Sequence, residues 1–159
     1  MSNRIKYLVM DVDGTLTDGK IYMGANGELM KAFNIKDGYG IHDILPQVGI
    51  IPVIITGRKS LIVENRCKEL GIEYYYQGVV NKMETLNSFL AAQNGSLSEV
   101  AYAGDDLNDL ACMQLIKSEG GIVGMPSNAA EKLKYLADFI SSEKGGEGAV
   151  REFIDFIVS

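Results

Sequence analysis

The chain has 159 residues, of which 47% are hydrophobic, and a formal charge of −6 at pH 7. This apolar share supports one buried core and excludes a disordered chain. The acidic balance argues against general nucleic-acid binding, no apolar run is long enough to span a membrane, and Met1 to Lys6 has no apolar leader region, so a cytoplasmic location is expected.

An anionic substrate stays possible, because local charge in a pocket outweighs the total. Cys67 and Cys112 lack metal-ligand spacing and fall in helical stretches, where they read as small buried hydrophobes.

Tyr7 to Met10 is continuously apolar, the pattern of a buried parallel strand. It ends in Asp11-Val12-Asp13-Gly14. Two acids at a buried strand end are costly unless a cation offsets them, and Gly14 allows a tight turn just past them. A polar turn with solvated aspartates is the alternative at this point. Asn26-Gly27 between two short strand-like runs predicts a β-hairpin, a flap over residues 20–33. Asn34 to Gly40 carries a turn and a helix start, and Ile41 to Gln47 reads as a short helix.

Strands and helices then alternate. The spacing predicts strands over 51–55, 73–76, 100–103, 121–123 and 137–140. It predicts helices over 61–70, 81–93, 107–116, 129–136 and 149–157. The three tyrosines at 74–76 read as β-formers with polar tips. Ser141 to Gly148 is glycine-rich and could be a mobile joint to the last helix.

Repeated strand–helix units imply an α/β fold with a doubly wound, Rossmann-like parallel sheet. Residues 1–159 are expected to form a single domain with no cap domain, the hairpin being the only projection. Such sheets bind ligands at the carboxyl ends of their strands. Asp11 and Asp13, Thr56, Lys82, and Asp105 and Asp106 all fall there. Three carboxylates about one point form a hard oxygen site suited to Mg²⁺, which also binds phosphate. One aspartate can attack phosphorus to give an aspartyl-phosphate, and a second, two residues on, can move the protons. Lys82 and Thr56 can stabilise charge on the phosphoryl oxygens.

Asp11-x-Asp13-Gly14-Thr15, then Thr56, Lys82 and Gly104-Asp105-Asp106-x-x-Asp109, resemble in order the four motifs of the haloacid dehalogenase-like phosphohydrolases. Further stretches resemble one branch, the 3-deoxy-D-manno-octulosonate 8-phosphate phosphatases. They are Asp18 to Asn34, Lys36 to Ile41, Ile55 to Lys59, Val63 to Cys67, Tyr76 to Lys82, and Gly145 to Glu152. The resemblance covers nearly the whole chain.

It implies that Asp11 is the nucleophile and a Mg²⁺ ligand, and that Asp13 is the general acid/base and binds metal through its carbonyl. It makes Asp105 the second metal carboxylate, supported by Asp106 or Asp109, and gives the phosphoryl group to Thr56 and Lys82. Asn34, Ile35, Lys36, Asp37 and Gly38, with His42, Gly57, Arg58 and Arg66, would line the sugar-acid side.

The branch further implies a homotetramer assembled through the hairpins, each neighbour covering part of the next site, with the tail 145–159 reaching an adjacent subunit. It also implies a supply step for lipopolysaccharide or a related surface glycan. His42 and Lys36 stand where arginine is frequent in the branch, and Thr15 where valine is frequent. These departures leave the chemistry alone and bear on the substrate. A nine-carbon ulosonate 9-phosphate is the alternative substrate, although Arg58 favours the eight-carbon branch. Two other classes compete: a receiver-like signalling module, and a non-catalytic assembly domain of a sugar-acid activating system. The presence of both Asp11 and Asp13 predicts activity.

Overall fold

A computed structural model describes residues 4–159. Met1 to Asn3, part of the stretch read as lacking a leader, lie outside the described residues. The central strand is β1 (Tyr7–Met10), all four of whose residues are buried. A continuously apolar strand has to be covered on both faces, and it is. Leu8 and Met10 join one cluster, packed with Ile54, Val63, Phe153 and Ile154. Tyr7 and Val9 join the other, packed with Val53, Leu86, Phe89 and Met113.

The hairpin strands β2 (Tyr22–Gly24) and β3 (Gly27–Met30) pair antiparallel, apart from the main sheet. The remaining strands are β4 (Ile51–Ile55), β5 (Tyr74–Tyr76), β6 (Val100–Ala103), β7 (Ile122–Met125) and β8 (Phe139–Ile140). With β1 they form one six-stranded sheet in the order β5-β4-β1-β6-β7-β8. Every pairing in it is parallel. The chain runs outward from β1 to β5, crosses back, and runs outward again from β6. The direction of winding therefore reverses beside β1, and a crevice opens there at the carboxyl ends. A receiver-like module would place β1 second in its sheet, so this order argues against that class.

The helices are α1 (Ile35–Tyr39), α2 (Leu45–Gln47), α3 (Leu61–Glu69), α4 (Lys82–Gln93), α5 (Leu110–Ser118) and α6 (Ala149–Val158). The helix start read between Asn34 and Gly40 falls at Ile35, where the Asn34 side chain accepts from the Lys36 N–H and caps the helix. A π-helical turn, Gly40–Ile44, follows, in which the Leu45 N–H donates to the Gly40 carbonyl. Pro46, with no N–H, cannot continue an ordinary ladder there. The stretch expected to be helical from Ala129 is instead a 3₁₀ segment, Glu131–Leu136. The Ala130 N–H donates to the Asp105 carbonyl at 2.9 Å, which holds that residue extended and delays the turn. Both cysteines are free and buried, and burial pushes each thiol up to about 11.

The C-terminal tail departs from the expected mobile joint. Its glycines are fixed by close packing on the turn after β1. A Cβ at Gly145 would lie 1.9 Å from the Gly14 carbonyl oxygen, and one at Gly146 would lie 2.6 Å from backbone atoms of Thr17 and Asp18. Beyond them α6 buries Val150, Phe153, Ile154 and Ile157 in its own chain's core rather than reaching outward.

Asp37 fastens α6. Its carboxylate accepts from the Arg151 N–H at 2.9 Å, taking a donor of the helix's first turn. Asp37 is only 2% exposed, and its Oδ2 has no partner among the described residues. Burial pushes the carboxyl up from 3.8 to about 6, against the pull of its hydrogen bonds and of Arg66. The folded state thus holds this proton more tightly than the unfolded chain. The resulting stability cost is absent below about pH 4 and fully felt above about pH 6. Asp37→Asn keeps the acceptor and removes the charge. It is expected to flatten the fall in thermal stability across that window and to match or exceed the wild type near pH 7.5. Asp37→Ala, which loses the cap, is expected to cost about 1–2 kcal/mol. Thermal unfolding near pH 5 and pH 7.5 checks both.

Candidate active site

Asp11 directly follows β1, Thr56 follows β4, and Gly104-Asp105 follows β6. Parallel pairing of β1 with both neighbours therefore delivers all three to one end of the sheet. They meet in an open pocket lined by Asp11, Asp13, Gly14, Gly19, Thr56, Gly57, Arg58, Asp105, Asp106 and Asn108. Asp13 stays half-buried just past Asp11, so both acids address one centre.

Lys82 opens α4 and enters from below. Its ammonium lies 3.2 Å from Asp11 Oδ2 and 2.9 Å from Asp109 Oδ1. Asp109 is fully buried and fully engaged. Its Oδ1 also accepts from the Tyr102 hydroxyl at 2.6 Å, and its Oδ2 accepts from the N–H groups of Asp105 and Asp106. Asp109 therefore holds Lys82 and the Asp105 loop in place. Burial and the Asp109 charge push Asp11 up to about 6, against the opposing pull of Lys82. The same burial and the charges of Asp11 and Asp109 push Asp105 up to about 7.

Oxygens of Asp11, Asp105 and Asp109 all lie within 4.8 Å of one another. With Asp109 committed to four donors, Asp11 and Asp105 are the carboxylates free to take a cation. Asp105 Oδ1 accepts from the Thr15 hydroxyl at 3.0 Å, which aims the carboxylate and leaves Oδ2 available. The turn after β1 fits against that oxygen: a Cβ at Gly14 would stand 2.0 Å from it, and Gly14 has φ +87°. Only glycine allows this approach. A hard, all-oxygen set with excess negative charge fits Mg²⁺.

The pocket collects Asp11, Asp13, Thr56, Gly57, Arg58 and Asp105, with Lys82 behind Asp11. Asn34, Asp37, Gly38 and Arg66 lie elsewhere, around a small internal cavity beyond Val12 and Leu16. There Arg66 sits over the Phe33 ring and pairs with Glu69, while Asp37 holds α6. Ile35 and Lys36 are exposed on α1. His42 is exposed and faces Asp43 at 3.2 Å. Arg151 stacks on Tyr39 and pairs with Asp155, away from the pocket. Two polar groups at the site have no signature in the sequence. Asn108 lines the pocket, and Lys31, from the end of the hairpin, reaches Asp13 Oδ1 at 2.6 Å.

A doubly wound sheet that gathers an Asp-x-Asp turn, a threonine, a lysine and a second acidic loop about one pocket defines a phosphohydrolase of the haloacid dehalogenase type. No protein-family model matches the chain. It is 43% identical over 157 residues to the 3-deoxy-D-manno-octulosonate 8-phosphate phosphatase KdsC of Escherichia coli K12, covering 99% of this chain and 81% of that one. The crystal structure of the corresponding phosphatase from Yersinia pestis superposes with a TM-score of 0.90 at 40% identity, covering 99% of this chain and 82% of that one. The phosphatase from Moraxella catarrhalis, solved with magnesium ion, phosphate ion and a KDO molecule, gives a TM-score of 0.90 at 41% identity, with coverages of 99% and 87%. The chain belongs to the 3-deoxy-D-manno-octulosonate 8-phosphate phosphatase family.

Lys82→Met leaves Asp11 and Asp109 facing each other with no cation between them. Turnover is expected to fall about 10²–10³-fold, and unfolding in chelator to come about 3–5 kcal/mol sooner. Added Mg²⁺ should recover part of the stability and little of the rate. Paired thermal melts and phosphate-release assays check this.

Proposed function

We propose that the chain hydrolyses 3-deoxy-D-manno-octulosonate 8-phosphate to the free sugar acid and phosphate, in the cytoplasm, through an aspartyl-phosphate on Asp11. The observation that carries this reading is the meeting of Asp11, Asp13, Thr56 and Asp105 in one pocket. It is supported by the Moraxella catarrhalis relative, which holds magnesium, phosphate and KDO.

A carboxylate oxygen of Asp11 attacks phosphorus and the sugar–oxygen bond to phosphorus breaks. Asp13 gives its proton to the departing oxygen, then takes one from the water that cleaves the aspartyl-phosphate. Lys82 and the Thr56 hydroxyl attract the phosphoryl oxygens. Magnesium held by Asp11, Asp105 and the Asp13 carbonyl would supply further positive charge where the phosphoryl group binds. Arg58, exposed at the pocket rim, is placed to take the sugar carboxylate.

Among the described residues no element lies over the pocket, and the hairpin stands beside it. That hairpin exposes Ile21, Met23, Leu29 and Met30, and Leu29 is 69% exposed. A two-stranded ribbon that exposes this many apolar side chains is marginal by itself. This supports self-association through the hairpins as a homotetramer.

Asp11→Asn is expected to lower Mg²⁺-dependent phosphate release by roughly 10³-fold or more. Equal rates for the two proteins would defeat the nucleophile assignment. Comparing kcat/KM for the eight- and nine-carbon ulosonate phosphates tests the substrate, and a preference for the nine-carbon acid would overturn this choice. For the assembly, Leu29→Glu is expected to give a smaller species in sedimentation and a raised KM. A wild-type monomer with full activity would contradict the shared site.

A further inference from the structure

The hairpin does more than stand beside the pocket. Lys31 directly follows β3, at the foot of the hairpin. Its side chain is 2% exposed, and its ammonium lies 2.6 Å from Asp13 Oδ1 and 2.9 Å from Glu28 Oε2. Glu28 Oε1 in turn accepts from the Ser60 hydroxyl at 2.7 Å. Ser60 caps α3, accepting from the Ile62 N–H, and its own N–H donates to Gln77. Arg58 approaches Glu28 to 4.0 Å. A line of charge-assisted contacts thus runs from Asp13 through the hairpin to the loop that carries Thr56 and Arg58.

We propose that Lys31 is a positioning residue for the proton transfer: it holds Asp13 by Oδ1, leaves Oδ2 to face the substrate, and stabilises the charge that appears on Asp13 as its proton departs. The proposal rests on the phosphatase reading above. In the first step the Asp11–phosphorus bond forms and the phosphorus–ester bond breaks, its electron pair going to the sugar oxygen. That oxygen takes the proton from Asp13 Oδ2. Asp13 becomes a carboxylate 2.6 Å from a fixed ammonium. This attraction is stronger in the transition state than in the ground state, the condition for accelerating the step.

Lys31 is equipped for this task. Its buried ammonium is held between two carboxylates, those of Asp13 and Glu28. Glu28 has its own carboxyl kept low, first by Lys31, so it remains an anion and retains the ammonium. Among the described residues Asp13 Oδ2 has no protein donor, so that oxygen is left for the chemistry.

The leaving group supplies the test. A primary alkyl oxygen needs a proton as it departs, whereas p-nitrophenolate does not. kcat/KM reports the steps up to leaving-group departure. Lys31→Met and Lys31→Gln, both neutral and of similar length, are compared with wild type on octulosonate 8-phosphate and on p-nitrophenyl phosphate, each with Mg²⁺. The expected loss is about 10- to 100-fold on the sugar phosphate, and less than about threefold on the aryl ester. Lys31→Arg should recover much of the sugar-phosphate rate. Asp13→Asn should show the same selectivity, larger, and adding Lys31→Met to it should cost little more. The aryl ester rate itself reports whether each variant is folded. Equal losses on both substrates, or no loss on either, would overturn the assignment. If Asp13→Asn showed no leaving-group selectivity, the phosphatase reading of Asp13 would be what failed.

Discussion

Three converging acids, two of them buried, and one buried ammonium at the end of β1 govern this molecule. Asp11, Asp105 and Asp109 converge within 4.8 Å, and Lys82 alone stands among them. Two negative charges are left uncompensated. At an effective dielectric of about 20, a pair of unit charges 4 Å apart interacts by about 4 kcal/mol. Such a cluster is unfavourable when all its members are ionised, which is why burial and mutual repulsion raise Asp11 and Asp105. A divalent cation restores neutrality to the cluster and makes ionised acids the stable form. The same imbalance that weakens the free fold therefore prepares the site for Mg²⁺ and for a phosphoryl group beside it.

The sheet order makes that convergence unavoidable. β1 lies between β4 and β6, in parallel register with both, so the first residues past three neighbouring strands share one crevice. Backbone approach finishes the job. Gly14 lies close enough to Asp105 that no side chain fits between them, and Gly145 lies equally close to Gly14. Three loops distant in sequence pack tightly on one another, the Gly14 backbone against the Asp105 carboxylate on one side and the Gly145 backbone on the other, and α6 is anchored behind them through Asp37 and its apolar face. The C-terminal glycines thus serve close packing at the site rather than motion.

Much of this was legible in the sequence, and what was not has physical causes. Continuous apolar runs marked β1, β4 and β6, and Asn26-Gly27 marked the hairpin, because strand burial and turn chemistry are local properties. Asp11, Thr56, Lys82 and Asp105 were legible because topology carries strand-end residues to one place. The helix start after Asn34 was legible because its cap is a local side chain, whereas the π-helical turn was not, because it depends on Pro46 several residues later. The residues grouped from Asn34 to Gly38 with Arg66 point to different places. Their neighbours in space, Phe33, Glu69 and Arg151, are set by packing that spacing does not show. Lys31 lay in a stretch that resembled the branch, but its pairing with Asp13 was not legible, since the two are 18 residues apart across a turn.

The hairpin links these scales. It exposes Ile21, Met23, Leu29 and Met30, while polar contacts hold its foot, with Tyr22 bound to Asp18 at 2.6 Å and Lys31, just past β3, bound to Asp13. An element this small has little stability apart from what it touches. Its position is therefore set jointly by whatever covers the outside and by the charges at its foot. The hairpin and the pocket are thereby joined through one ammonium, since Lys31 ties a ribbon whose outer side chains are exposed to the Asp13 carboxylate that lines the pocket.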